Sequence, residues 1–137
     1  MTIFTFLLFA KNTMAMDVKA TWELDIEASI NRCVRFGLSA CRTPKKTTAH
    51  KEQLNNAFGK DGFVLIFDDS KVKMGSKENL KQGSYKITQS TYSYMVIETS
   101  SDSSGKKRTS TLVREELDLI CFAEETANSE CMCFRKK

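Results

Sequence analysis

Between residues 63 and 135, short apolar runs alternate with polar positions and are separated by clusters of Asp, Ser and Gly. The runs are 63–67 (FVLIF), 71–74 (KVKM), 83–87 (GSYKI), 92–98 (YSYMVIE), 107–113 (KRTSTLV), 117–122 (LDLICF) and 130–135 (ECMCFR). Stretches this short, rich in Val, Ile, Thr, Tyr and Phe and bounded by turn residues, predict consecutive antiparallel strands joined by hairpins. A meander of that kind either closes into a small barrel or leaves edges that pair with other chains.

Upstream, 18–25 (VKATWELD) alternates and carries the single Trp, which predicts a first strand. From Ile26 the period changes: Ile26, Ile30 and Val34, with Cys33 beside them, share one helical face. Asp25 suits the N-cap of that helix and Gly37 its C′ position. Residues 39–46, with the one Pro (Pro44), read as a loop. A second short helix is expected from Thr48, burying Leu54, Ala57 and Phe58 and ending at Gly59. The fold class is therefore mostly β (α+β). It is an antiparallel up-and-down meander closing into a small barrel, with two short helices inserted after the first strand. The 137 residues suit one domain.

The apolar run at 3–10 is too short to cross a bilayer, so no membrane span is expected, but it has the length of a signal-peptide core. Thr13-Met14-Ala15 offers a cleavage site, so 1–15 reads as a signal peptide and 16–137 as the domain. Five cysteines agree with a periplasmic or secreted location, where they pair. Cys33 and Cys41 flank a helix exit and make the shortest local bridge. Cys121 with Cys131 closes the last hairpin and leaves Cys133 over. A one-residue slip of register reverses the faces there, and a bridge from Cys33 or Cys41 to the last strand competes. No metal site is expected: Cys131 and Cys133 are one residue apart, closer than structural zinc ligands, and His50 is the one His. The net charge of +4 is scattered, its densest points (45–46, 106–108, 135–137) lying in loops or at an end. A nucleic-acid partner calls for a basic face, so none is expected.

Several segments carry a likeness. They are Thr21-Trp22-Glu23-Leu24-Asp25, Ile66-Phe67-Asp68-Asp69, Gly83-Ser84-Tyr85-Lys86-Ile87 and Cys133-Phe134-Arg135. Together they resemble the small lipocalin-like domains of secreted and periplasmic bacterial proteins, over nearly all of 16–137. Ala20 stands where that family usually has the Gly of Gly-x-Trp, and Asp69-Ser70 replaces its Asp-Gly turn. The resemblance implies a lipocalin-like barrel and little about activity.

Candidate chemistry is sparse. There is no Gly-rich phosphate loop, no Gly-x-Ser-x-Gly and no His-Glu-x-x-His, and the adjacent carboxylates 68–69, 115–116 and 124–125 point to opposite faces of a strand or sit in turns. His50 lies in a polar stretch. The chain is therefore expected not to be an enzyme and to need no cofactor. Trp22 reads first as a core residue that plugs the barrel and second as a ligand contact. Tyr85, Tyr92 and Tyr94 are the other candidate ligand-binding residues, Tyr92 and Tyr94 sharing a face by the two-residue period. The function expected is a non-catalytic binding module for a small apolar or amphiphilic ligand. The rival is an exported inhibitor or immunity protein that blocks a secreted hydrolase or toxin by protein contact.

Overall fold

Strand β1 (Ala20–Leu24) turns Trp22 inward and hands the chain to helix α1 (Ile26–Arg35) through Asp25. Asp25 caps the helix, its Oδ1 accepting the Ala28 N–H at 2.9 Å. Gly37 leaves the helix at φ 60°, a conformation that glycine adopts without strain. A single 3₁₀ turn (Ser39–Cys41) leads to helix α2 (Pro44–Phe58). Strands β2 (Val64–Phe67), β3 (Lys71–Ser76), β4 (Asn79–Ser90), β5 (Tyr94–Ser101), β6 (Lys107–Glu116), β7 (Leu119–Phe122) and β8 (Cys133–Lys136) follow. This computed structural model describes residues 17–123 and 132–137; the expected leader (1–15) and Cys131 lie outside them.

Each strand pairs antiparallel with the next, and β8 returns to β1 through Trp22 opposite Lys136 and Leu24 opposite Phe134. The meander is thus a closed eight-stranded barrel, and the ladder runs round without a free edge. Alternation does the rest. Across successive pairs the inward side chains are Trp22, Leu65, Phe67, Val72, Met95, Ile97, Leu112, Ile120 and Phe134, which form one buried core. The α2–β2 entry and the β3–β4 and β5–β6 turns gather at one end. The β2–β3, β4–β5 and β6–β7 turns gather at the other.

The local details differ from the sequence reading in four places. Helix α2 begins at Pro44 rather than Thr48, with Thr43 as the cap, because Pro at the first helical position loses no hydrogen bond. Ala57 on that helix is exposed, while Leu54 is buried. In α1 the buried residues are Ser29, Ile30 and Cys33, and Val34 is 52% exposed. The rotation has a polar cause: Ser29 Oγ accepts the Cys133 N–H at 2.8 Å, and the Asp25 N–H donates to the Cys133 carbonyl. The start of α1 therefore completes the ladder where β8 runs past β1.

The fourth difference is the second disulfide. Cys33 is bonded to Cys41, and Cys121 is bonded to Cys133, not to Cys131. The register sets Cys121 opposite Cys133, with Cα atoms 4.0 Å apart. The Phe122 N–H donates to the Met132 carbonyl, so the neighbouring Cys121–Cys133 pair is a non-hydrogen-bonded one, where side chains come closest. This disulfide faces outward, and Ala28 of α1 packs on it with Leu119.

Candidate ligand-binding cavity

The barrel is not filled. A cavity of about 260 Å³ opens at the end where α2 enters. One wall is aromatic. Phe58, at the end of α2, meets Phe63 edge-on at 4.9 Å, and Phe63 and Phe122 both contact Phe134 at 5.9 and 5.8 Å. Leu65, Phe67, Val72 and Met74 continue the lining along β2 and β3. The facing wall comes from β5 and β6: Ile97 and Thr99, then Arg108 and Ser110, whose positions the register places opposite one another. Among the described residues the lining is therefore apolar within, with Thr99, Arg108 and Ser110 as its polar members.

The other end is shut. Trp22 is 2% exposed and its Nε1–H donates to the Val18 carbonyl at 2.9 Å. Its ring belongs to the core and not to the cavity wall.

The three tyrosines do not form a shared ligand-facing surface. Tyr92 lies in the β4–β5 turn and not on a strand, so the two-residue period does not relate it to Tyr94. It is half exposed, with the Arg114 guanidinium 4.8 Å above its ring. Tyr94 accepts from Gln89 Nε2 at 2.7 Å. Tyr85 packs edge-on against Phe67 and donates its hydroxyl to the Asp68 carbonyl. Burial, then the Asp68 carboxylate, holds the Tyr85 phenol above its usual range. None of Trp22, Tyr85, Tyr92 and Tyr94 lines the cavity. Its walls come instead from strand positions that alternation makes inward, such as Leu65, Phe67, Val72 and Met74, together with Phe58 on α2 and Phe63 just before β2. The missing signal was the register, which fixes the end of the barrel each inward residue reaches.

A second depression, on the outside, lies between α1 and β6–β8 and is occupied by ion pairs. Glu115 accepts from Arg32 Nε and from Arg35, each at 2.7 Å. Arg135 reaches Asp25 at 2.9 Å and both Glu116 and Asp118 at 3.1 Å. Burial pushes the Asp25 carboxyl up, but the Ala28 N–H and the Arg135 guanidinium outweigh it and hold the group below the usual carboxylate range. These groups are spent on fastening α1 to the barrel. His50 is half-buried on α2, where it shares a shallow surface depression with Ser39 and Ala40, away from the cavity.

Among the described residues no helix is long and apolar enough to cross a membrane. A closed antiparallel barrel of eight strands with two short helices fits a lipocalin-like fold. Comparison with protein-family models, curated proteins and solved structures gives no match to this chain.

Proposed function

We propose that the protein is a non-catalytic, exported binding module that takes a small apolar or amphiphilic ligand into the open end of its barrel. The observation that carries this reading is the cavity of about 260 Å³ lined mainly by Phe, Leu, Val, Met and Ile. Burial of apolar surface there is the driving force, at roughly 25 cal/mol per Å² removed from water. Sites for drug-sized ligands run from about 300 Å³ upward, so this one suits a single short chain or ring system. An eight-stranded barrel has room for one such ligand and no more. Two disulfides support an oxidising, extracytoplasmic compartment.

The test uses Nile red, an uncharged dye whose emission rises and shifts to the blue in apolar surroundings. The folded, disulfide-intact protein should bind it saturably at one site, and decanol should displace it. A dye signal no different from buffer would remove the reading.

A further inference from the structure

One polar group in the cavity wall has nothing to bond to. Ser110 is 4% exposed and lines the cavity, and among the described residues its hydroxyl makes no hydrogen bond. The two-residue period of β6 sets its depth. Leu112, two positions inward, is wholly buried, and Arg108, two positions outward, is exposed at the rim. Across the ladder Ser110 faces Ile97, whose side chain has no polar atom. The other polar members of the wall are engaged already. Thr99 Oγ1 donates to the Arg108 carbonyl at 3.4 Å, and Arg108 has a partner of its own. The Ser110 hydroxyl thus stands between closed core and rim with a donor and acceptor sites to offer. A hydroxyl withdrawn from water unpaired is costly, and a ligand that brings the partner removes that cost.

The surroundings of that hydroxyl constrain what carries the partner. Phe58, Phe63, Phe67 and Phe122 line the same cavity, and Phe58 meets Phe63 at an interplanar angle of 66°. Rings set at an angle present both edges and faces, so a further ring finds edge-to-face partners that a flexible chain does not. Volume points the same way. A dry apolar cavity of about 150 Å³ holds benzene. The cavity of about 260 Å³ here leaves room for a second fused ring or a short substituent.

We propose that the ligand is a compact one- or two-ring compound bearing one uncharged hydroxyl or carbonyl. The polar oxygen bonds to Ser110 while the rings pack among the four Phe. The inference rests on the binding reading above and adds the ligand's shape and the position of its polar atom.

The experiment measures binding of naphthalene, 2-naphthol and 1-octanol to the full, oxidised chain by equilibrium dialysis at neutral pH. The first two share a skeleton and differ by one hydroxyl; the third is an open-chain alcohol of comparable hydrophobicity. It is repeated with Ser110→Ala and with Ser110→Thr, which keeps the hydroxyl. The preference for 2-naphthol over naphthalene should fall about fivefold in Ser110→Ala, the order of one neutral hydrogen bond. Naphthalene itself should bind that variant no more weakly than the wild type. Ser110→Thr should retain the preference, and wild type should bind 2-naphthol several-fold more tightly than 1-octanol. A preference unchanged in Ser110→Ala, including one kept because both ligands weaken alike, would overturn the hydrogen bond. Octanol bound as tightly as 2-naphthol would overturn the choice of a ring. Either result leaves the apolar cavity standing as a binding site. Binding of none of the three overturns this inference and the reading beneath it together.

Discussion

The indole Nε1–H of Trp22 donates to the carbonyl oxygen of Val18 at 2.9 Å, and both residues are almost wholly buried. The bond folds the chain's entry under the barrel and satisfies the one polar atom of its largest side chain. A barrel closed in this way at one end has a single opening, which leaves the far end free to serve as a pocket. Trp22→Ala should cost about 3–5 kcal/mol, the range for truncating a buried aromatic. Chemical denaturation followed by far-UV circular dichroism measures it. A midpoint that hardly moves would mean that the ring is not part of the core.

The Cys121–Cys133 bond should appear in non-reducing peptide maps together with Cys33–Cys41, and a Cys121–Cys131 peptide should not. Replacing Cys121 and Cys133 by Ser together should lower stability by about 3 kcal/mol, the chain-entropy value for a loop of this length. The loss should show as an earlier denaturation midpoint.

Asp25 joins two supports, its Oδ1 capping α1 and its Oδ2 accepting from Arg135 Nε at 2.9 Å. Its carboxyl is held below the ordinary range in the folded state. The stability it contributes is therefore full above the unfolded-state value of about 3.9 and is lost as pH falls through the lowered folded value. Asp25→Asn keeps a capping oxygen but not the charge, so its stability should vary less with pH below about 5 than that of the wild type. Asp25→Ala loses the cap too and should cost about 1 kcal/mol more than Asn at neutral pH. Parallel pH profiles for wild type and Asp25→Asn would contradict this.

Gly75 carries the β3 strand into its turn at φ 140°, and a methyl added there would come within 2.4 Å of the Asn79 carbonyl oxygen. Gly75→Ala combines a disfavoured conformation with a backbone clash and should cost about 1–3 kcal/mol. Because Met74 beside it lines the cavity, the same variant should weaken Nile red binding. Unchanged thermal stability would show that the turn relaxes freely.

Much of this fold was legible in the sequence. Short alternating runs with Asp/Ser/Gly punctuation gave away the strands, since a half-buried strand cannot hide its period. Asp25 and Gly37 marked the ends of α1 because caps act locally. What failed was decided at a distance. The face of α1 turned on Ser29, whose hydroxyl takes up the N–H of Cys133 more than a hundred residues later; ranking by apolarity alone favours Val34. The second disulfide turned on strand register. The cavity was least legible of all. Phe63, Met74 and Phe122 each look like ordinary core residues, and only barrel closure shows that at one end they enclose space instead of filling it.

The most direct test of ligand entry into the barrel is to fill the cavity from its wall. Ser110 is 4% exposed and lines the cavity on β6 beside Arg108. Ser110→Phe places a ring in the space that a ligand is proposed to occupy, and Nile red affinity is measured alongside the melting temperature. The variant should remain folded while its affinity drops at least about tenfold, the equivalent of roughly 1.4 kcal/mol. A folded Ser110→Phe that binds the dye as tightly as the wild type would place the ligand elsewhere.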